Sequence, residues 1–314
     1  MTKSYRRRTP VLEDINLTIE AGELVALIGA SGSGKSTLTR LIAGFERLDG
    51  GDGTIHVFGE TVQENGRRLR AQRKLRRAIG VVFPQFKLVG RLSLMKNVLA
   101  GRLAHVPGWR STLGLFAHAD RIKALKSLER VGMVEFARQR ASQLSGGQQQ
   151  RGAIARVLAQ EARIILADEP IASLDPASAD RVMEILEDIN KRDGTTIIVS
   201  LHQIEHAFRH CRRIVALKDG RIVFDGPTSA IKPADLTALY GVELAPAHPG
   251  GQRESGETAA RPVPLHPTGN GSDRAAPLSG DGRAIADNTP LLLSLIHISE
   301  PTRPTRASRM PSSA

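Results

Sequence analysis

The chain has 314 residues, 40% of them hydrophobic, which is enough for a sizeable buried core. A formal net charge of +12 favours anionic partners, but only 4% of the residues are aromatic. Because this leaves few platforms for stacking bases, we expect no nucleic-acid partner. Cys211 is the only cysteine, which excludes an intrachain disulfide and a cysteine-rich metal site and favours a reducing cytoplasm.

Residues 11–242 alternate apolar, strand-like runs with helical patterns, which predicts an α/β fold. Residues 23–28 are predicted to form a buried strand that enters a glycine-rich loop. Residues 36–43 are predicted to form the helix that follows, and Gly44 is placed to end it. The arginine-rich run at residues 67–77 is predicted to form a solvated helix near anionic lipid or nucleotide.

Further along the chain, β-branched residues predict strands at residues 78–83 and 195–200. Residues 87–159 follow a mostly helical pattern, which indicates an inserted helical subdomain. The composition changes at residue 246 to Pro, Gly, Ala and Ser without an apolar period. We therefore predict one domain at residues 1–245 and a disordered tail at residues 246–314.

The end of this tail has an unusual sequence. Residues 293–303 resemble the translation of a transposon adaptor that is used to prepare sequencing libraries. We therefore interpret residues 293–314 as an assembly artefact; the alternative is a genuine unstructured extension. Adaptor sequence in the underlying DNA would support the first interpretation.

A glycine-rich segment between the first predicted strand and helix fits the phosphate-loop pattern G-x-x-x-x-G-K-[ST]. Its residues are Gly29, Ala30, Ser31, Gly32, Ser33, Gly34, Lys35 and Ser36. Glycines let the backbone N–H groups point at phosphate oxygens, and the helix N-terminus adds a positive dipole. We predict that Lys35 bridges the β- and γ-phosphates of ATP, that Ser36 ligates Mg²⁺, and that Thr37 lies near the α-phosphate.

An acidic pair, Asp168 and Glu169, follows the apolar run at residues 164–167. Open α/β sheets bind their ligands at the carboxyl ends of the strands. We predict that Asp168 holds the Mg²⁺ shell and that Glu169 is the general base for the attacking water. His202 follows another predicted strand and is expected to contact the γ-phosphate and to steady Glu169.

A second anion-binding helix N-terminus is predicted at Ser145, Gly146, Gly147 and Gln148. A chain with one phosphate loop has no use for a second γ-phosphate cradle of its own. Two copies in head-to-tail arrangement do, because each nucleotide then lies between Lys35 of one chain and Ser145 of the other. Asp175 is suited to contacts across the same interface. We therefore predict a homodimer.

These segments resemble the ATP-binding cassette (ABC) family from Tyr5 to about Val242. The resemblance implies a P-loop NTPase nucleotide-binding domain of the α/β class, with an antiparallel β-subdomain and an inserted helical subdomain at about residues 87–160. Some segments are more closely similar to the ATPase subunits of bacterial phosphonate importers. These are residues 90–93, 97–103, 109–111, 167–176 and 199–203.

The chain departs from the family pattern in two places. Members of the family begin with a strand, which precedes the aromatic residue that stacks on adenine. Tyr5 is the expected adenine-stacking residue here, but only four residues precede it. The lack of this strand predicts an unpaired edge in the β-subdomain. The family's glutamine that senses Mg²⁺ and the γ-phosphate follows a phenylalanine directly. Here Pro84 intervenes after Phe83. We expect the loop to shift register so that Gln85 serves; the alternative is that the coupling is weakened.

The function implied by this resemblance is ATP hydrolysis that drives phosphonate import. The expected partners are two transmembrane permease subunits and an external substrate-binding protein, and the expected location is the cytoplasmic face of the bacterial inner membrane. The alternative is a regulatory or scaffold subunit of a phosphonate-degrading complex. The intact Glu169 and His202 favour hydrolysis, and the altered loop at Pro84 favours the alternative.

Overall fold

The computed structural model describes residues 2–6, 9–49, 53–68, 77–107, 109–110, 114–240 and 296–299. All of them belong to one compact unit. Its main layer is a six-stranded sheet with the strand order β12-β11-β4-β10-β9-β8. The strands are β4 (Leu24–Ile28), β8 (Ile79–Val82), β9 (Ile164–Asp168), β10 (Thr196–Leu201), β11 (Arg213–Lys218) and β12 (Arg221–Pro227).

The register of this sheet aligns the carboxyl ends of several strands at one edge. β8, β9, β10, β4 and β11 run parallel, and β12 pairs antiparallel at the border. Leu201 lies opposite Ile28, and Ser200 lies opposite Asp168. The residues that follow these strands therefore meet at the carboxyl edge, where open α/β sheets bind ligands.

Helices cover both faces of the sheet. They are α1 (Lys35–Ile42), α2 (Leu94–Leu99), α3 (His118–Arg130), α4 (Gly146–Ala159), α5 (Pro176–Asp193), α6 (Ile204–His210) and α7 (Pro233–Tyr240), with 3-10 turns at Ala100–His105, Ala141–Gln143 and Thr228–Ala230. α2, α3 and α4 pack on one another, which confirms the predicted helical insertion. No helix among the described residues is both long and apolar enough to span a bilayer.

The core divides along β4 because successive side chains of a strand point to opposite faces. Leu24, Ala26 and Ile28 belong to the cluster that includes α4 and α5, whereas Val25 and Leu27 belong to the cluster that includes α1. All five are buried, as a central parallel strand requires. The predicted strand and the helix after it are confirmed, and Gly44 follows the helix with a positive φ of 70°.

A second sheet has the order β3-β13-β5-β6-β7. Its strands are β3 (Leu17–Ile19), β5 (Thr54–Val57), β6 (Glu60–Glu64), β7 (Arg67–Arg68) and β13 (Ile296–Ser299), and a separate antiparallel pair is formed by β1 (Lys3–Arg6) and β2 (Thr9–Leu12). The prediction of a helix at residues 67–77 is wrong for its first two residues, which form β7. Asn65 and Gly66 both have positive φ and turn the chain into a hairpin. Residues 69–76 lie outside the described part.

Two expectations about the tail and the sheet edge are corrected by β13. Ile296–Ser299 is a strand, and it pairs antiparallel with both β3 and β5, so neither of these edges is unpaired. Ile296 and Ile298 are fully buried, and the His297 Nδ1 lies 2.9 Å from the Thr18 Oγ1. A segment in which apolar residues alternate with other residues can pair its backbone N–H and C=O groups with the edges of two strands at once. The rest of the tail lies outside the described residues.

We expect the joint change Ile296→Asp and Ile298→Asp to detach β13, because two unpaired carboxylates are not tolerated at fully buried positions. Backbone amides of β3 and β5 should then exchange at least about tenfold faster in hydrogen-exchange mass spectrometry. His297→Gln is the control, since glutamine keeps a hydrogen-bonding side chain at this position. Unchanged protection of β3 and β5 in the double variant would contradict a stabilising role for β13.

Candidate active site

The phosphate-loop segment connects β4 to α1 in a conformation that requires glycine. Gly32 and Gly34 have φ values of 82° and 102°, and Gly34 is the N-cap of α1. A Cβ at Gly34 would lie 2.5 Å from Leu12 Cδ2. A Cβ at Gly29 would lie 2.3 Å from the Ser33 Oγ and 2.5 Å from the Leu217 carbonyl oxygen. The backbone at Gly29 and Gly34 therefore approaches its neighbours too closely for a side chain, whereas at Gly32 the positive φ alone favours glycine.

Lys35 is held inside this loop. Its side chain is buried, and Nζ donates to the carbonyl oxygens of Gly29 at 2.7 Å and Ala30 at 3.0 Å. Burial lowers the pKa of Lys35, while Glu169 and Asp168 raise it in opposition. The ammonium group thus contacts the loop backbone and lies within electrostatic range of two carboxylates.

Ser36, Asp168 and Ser200 form a hydrogen-bonded group at the carboxyl edge of the sheet. The hydroxyls of Ser36 and Ser200 each donate to Asp168 Oδ1 at 2.9 Å, and Asp168 is 3% exposed. Hydroxyl and carboxylate oxygens are the hard donors that Mg²⁺ prefers, so this donor set fits the ion. Ser200 was not predicted from the sequence. The signal that could have identified it is a hydroxyl near the end of a strand that neighbours the strand of Asp168.

Glu169 and His202 lie side by side next to this group. His202 Nε2 is 2.7 Å from Glu169 Oε1, and both side chains are partly buried. The backbone of Glu169 has a φ of 48°, and its N–H donates to the Ser200 Oγ at 2.8 Å. The left-handed backbone turns the chain after Asp168, so the two consecutive carboxylates contact different partners. The structure therefore brings together the pair that the sequence predicted to cooperate.

Ser145 begins the helix α4 with a capping box. Its Oγ accepts from the Gln148 N–H at 3.3 Å, and its N–H donates to Gln148 Oε1 at 2.9 Å. A Cβ at Gly147 would lie 2.6 Å from the Ser178 Oγ, so glycine allows α4 to approach α5. Within the described ranges, no hydrogen bond joins Ser145 to the phosphate loop. Its contact with a nucleotide across a dimer stays a prediction.

Asp175 acts within its own chain as the N-cap of α5. Its Oδ1 accepts from the Ser178 N–H at 2.9 Å, and hydrogen bonds from Ser178 lower the pKa of this exposed carboxyl. Its contribution across a dimer interface stays a prediction.

Thr37 is buried in the first turn of α1, close in sequence to the phosphate loop.

Gln85 and Tyr5, which mark the two departures from the family pattern, lie in different parts of the fold. Gln85 is exposed in the turn after β8, and no hydrogen bond of its side chain is found within the described part. Phe86 and Lys87 follow with φ values of 54° and 45°, and Arg156 Nη1 donates to the Lys87 carbonyl oxygen at 2.8 Å. The backbone of Tyr5 lies in β1, but its side chain lies outside the described residues.

The comparisons with known proteins identify the family of the chain. A sequence model of the family described as ABC transporter matches residues 12–172. The chain is 56% identical over 241 residues to the phosphonates import ATP-binding protein PhnC of Burkholderia pseudomallei (strain K96243), covering 77% of this chain and 78% of the relative. It is 54% identical over 244 residues to PhnC 1 of Pseudomonas aeruginosa (strain UCBPP-PA14), covering 77% and 87%.

A solved structure gives the same result for the fold. The dimeric post-hydrolysis state of the ATP-binding cassette MJ0796 bound to ADP and Pi aligns with a TM-score of 0.62 and 34% identity, covering 72% of this chain and 95% of that one. The two chains therefore share a fold. The chain belongs to the ABC transporter family, as an ATP-binding cassette with a P-loop NTPase fold.

Proposed function

We propose that this chain is the ATP-hydrolysing subunit of a bacterial ABC importer for phosphonates. The observation that carries the proposal is the 54–56% identity to phosphonates import ATP-binding proteins over 241–244 residues. The contact between Glu169 and His202 at 2.7 Å supports hydrolysis rather than nucleotide sensing alone. Cassettes of one fold serve many cargoes, so the cargo rests on the identity and not on the site geometry.

We assign nucleotide binding to the phosphate loop together with Thr37, Gln85 and the ring of Tyr5. Lys35 binds the β- and γ-phosphates in place of the two loop carbonyls that it now contacts. Ser36, Asp168 and Gln85 are the residues that would hold Mg²⁺. When bound, this ion neutralises charge on the β- and γ-phosphate oxygens.

The catalytic step is assigned to Glu169. Its carboxylate accepts a proton from the attacking water or orients it, and His202 holds the carboxylate and contacts the γ-phosphate. Ser200 is a positioning residue in this scheme, because its hydroxyl connects Asp168 to the backbone of Glu169. Closure of a second subunit over the site excludes water and strengthens every electrostatic interaction within it.

We propose that the second subunit is another copy of this chain, placed head to tail. Ser145, Gly146, Gly147, Gln148 and Asp175 of one copy then complete the site of the other. The position of Ser145 at the N-cap of α4 supports this proposal, because a helix N-terminus favours anions. The dimeric state of the related cassette MJ0796 bound to ADP and Pi also supports it.

A mixing experiment tests the shared site. Ser145→Arg and Lys35→Ala should each be inactive as homodimers, because every site in them has one damaged half. An equal mixture should regain activity, up to about one quarter of the wild-type number of sites, since half of the dimers are mixed and each has one intact site. Steady-state ATPase assays of the separate and mixed proteins measure this. Full wild-type activity in the mixture, or none despite proven mixed dimers, would contradict the assignment.

The partners that we propose are two permease subunits in the inner membrane, with an external binding protein that acts through them. The subunit would lie on the cytoplasmic face. An apolar groove supports docking of a membrane subunit at the helical subdomain. It is lined by Leu92, Met95, Leu99, Leu103 and Phe116, and the Leu103 side chain is exposed.

Growth on a phosphonate tests the proposed cargo. A strain that lacks its own phosphonates import ATP-binding protein should regain growth on methylphosphonate as the only phosphorus source when it expresses this chain with the matching permease genes. Glu169→Gln should not restore growth, although both strains should grow equally on inorganic phosphate. Wild-type ATPase activity without growth on any phosphonate would refute the cargo and leave the ATPase assignment intact.

A further inference from the structure

A cluster of potential metal ligands lies where α5 and α6 pack together, outside the nucleotide site. Asp180 on α5 and His206 and His210 on α6 offer ligand atoms that all lie within 4.8 Å of one another. The two histidines are four residues apart, so their rings project from the same face of the helix. The ring centroids are 6.2 Å apart, and the ring planes are inclined by 17°.

Both histidines have a buried nitrogen without a hydrogen bond. His206 Nδ1 and His210 Nε2 have no hydrogen-bond partner among the described residues, and the His210 side chain is only 6% exposed. Buried polar atoms are nearly always paired, so two neighbouring exceptions make this cluster a candidate ligand site. Asp180 Oδ1 lies 3.5 Å from His206 Nδ1, which places a carboxylate oxygen beside one of the two unpaired atoms.

Glu187 orients His210 toward this cluster. Its Oε2 lies 2.8 Å from His210 Nδ1. A carboxylate at this nitrogen holds the proton on Nδ1 and leaves a lone pair on Nε2, as in carboxylate–histidine–metal arrangements. Metal ions bind the neutral form of imidazole through such a lone pair.

Arg209 is the competing partner of Asp180. Its Nη1 donates to Asp180 Oδ1 at 2.9 Å, but the Arg209 side chain is 64% exposed. An exposed ion pair contributes little to stability, so Arg209 can turn to solvent when a cation binds the carboxylate. The other charged group of α6 that acts on His206 is Glu205, which is exposed and whose negative charge also favours a bound cation.

We propose that Asp180, His206 and His210 form a binding site for a divalent transition-metal ion, with zinc as the preferred ion. Two imidazole nitrogens and one carboxylate oxygen make a three-ligand zinc set that leaves a fourth position for water. Zinc holds such ligands at about 2.0–2.2 Å, so the three side chains would draw together by about 1 Å on binding. The same donor set excludes Mg²⁺, which prefers oxygen ligands.

The site joins two helices that lead from proposed functional residues. α5 begins directly after Asp175, and α6 begins two residues after His202. A metal ion across α5 and α6 would therefore restrict the movement of the segments that carry these residues. This consequence depends on the proposed function, but the metal site itself does not.

Zinc and cobalt alone are the probes for the test. Metal-free wild-type protein, without nucleotide, should bind one Zn²⁺ per chain in competition with a chromophoric chelator, and Co²⁺ should give visible absorption of a tetrahedral site. His206→Gln and His210→Gln should each weaken zinc binding by about 100-fold or more, and Glu187→Gln by about 10- to 100-fold. His118→Gln, at the exposed start of α3, is the matched histidine control and should bind as wild type.

The change of Tm on adding Zn²⁺ separates a loss of zinc binding from a loss of stability in the variants. Zn²⁺ should raise the Tm of the wild type and of His118→Gln, but it should not raise the Tm of His206→Gln, whatever the starting Tm of that variant. Equal zinc affinity in the wild type and His206→Gln would overturn the proposal. So would the absence of zinc binding to the wild type at micromolar concentrations.

Discussion

Glu169→Gln is expected to bind ATP with near wild-type affinity and to lose about 100-fold or more of its hydrolysis rate. A general base contributes about 10²- to 10⁴-fold, and glutamine cannot accept the proton of the attacking water. The amide keeps the size of the side chain and a hydrogen-bond partner for His202, which lies 2.7 Å from the carboxylate. Steady-state release of phosphate and equilibrium binding of ATP measure the two effects separately.

The same variant should accumulate as a closed dimer when ATP is present, because ATP brings the two copies together and hydrolysis no longer separates them. Size-exclusion chromatography with light scattering detects this state. Glu205→Gln is the matched control, since Glu205 lies in the first turn of α6 and outside the contacts of the active site. Wild-type turnover in Glu169→Gln would show that another group activates the water.

Lys35→Ala is expected to abolish measurable ATP binding at micromolar concentrations. Hydrogen bonds to charged groups contribute about 1.5–3 kcal/mol each, and Lys35 is placed to make more than one to the phosphates. The predicted loss of affinity is therefore about 100-fold or more. Isothermal titration calorimetry with ATP measures it, and turnover should fall with it.

Lys35 is also buried and donates to the carbonyl oxygens of Gly29 and Ala30, so its removal can affect stability. Lys35→Met fills the same space without a charge and separates the two effects. Lys126→Ala, on the exposed surface of α3, is the control for a lost lysine charge. If a folded Lys35→Met protein binds ATP as tightly as the wild type, the role of Lys35 in phosphate binding is wrong.

Local patterns account for the elements that the sequence predicted correctly. The buried strand, the glycine loop and the helix of residues 24–42 are contiguous, so the motif contains its own structural context. The strands that carry Asp168 and Ser200 are apolar on both faces, as parallel strands in a central sheet must be. The alignment of their carboxyl ends then follows from the general rule for α/β sheets.

Other features depend on contacts between distant parts of the chain. β13 comes from residues 296–299 but lies between β3 and β5, and its neighbours are more than 200 residues away in sequence. The hydrogen bonds of Ser200 to Asp168 and Glu169 also join residues more than 30 positions apart. Local patterns in the sequence do not predict contacts between residues that are so far apart.

The family, the phosphate loop, the acidic pair at Asp168 and the helix N-terminus at Ser145 could be predicted from local sequence, because each is a short segment whose chemistry depends on adjacent residues. The contacts of Ser200 with Asp168 and Glu169, and the cluster of Asp180 with His206 and His210, became visible only in the folded chain. These groups come from separate strands and helices. Packing of the sheet and of α5 against α6 brings them within contact distance, and that packing depends on the whole core.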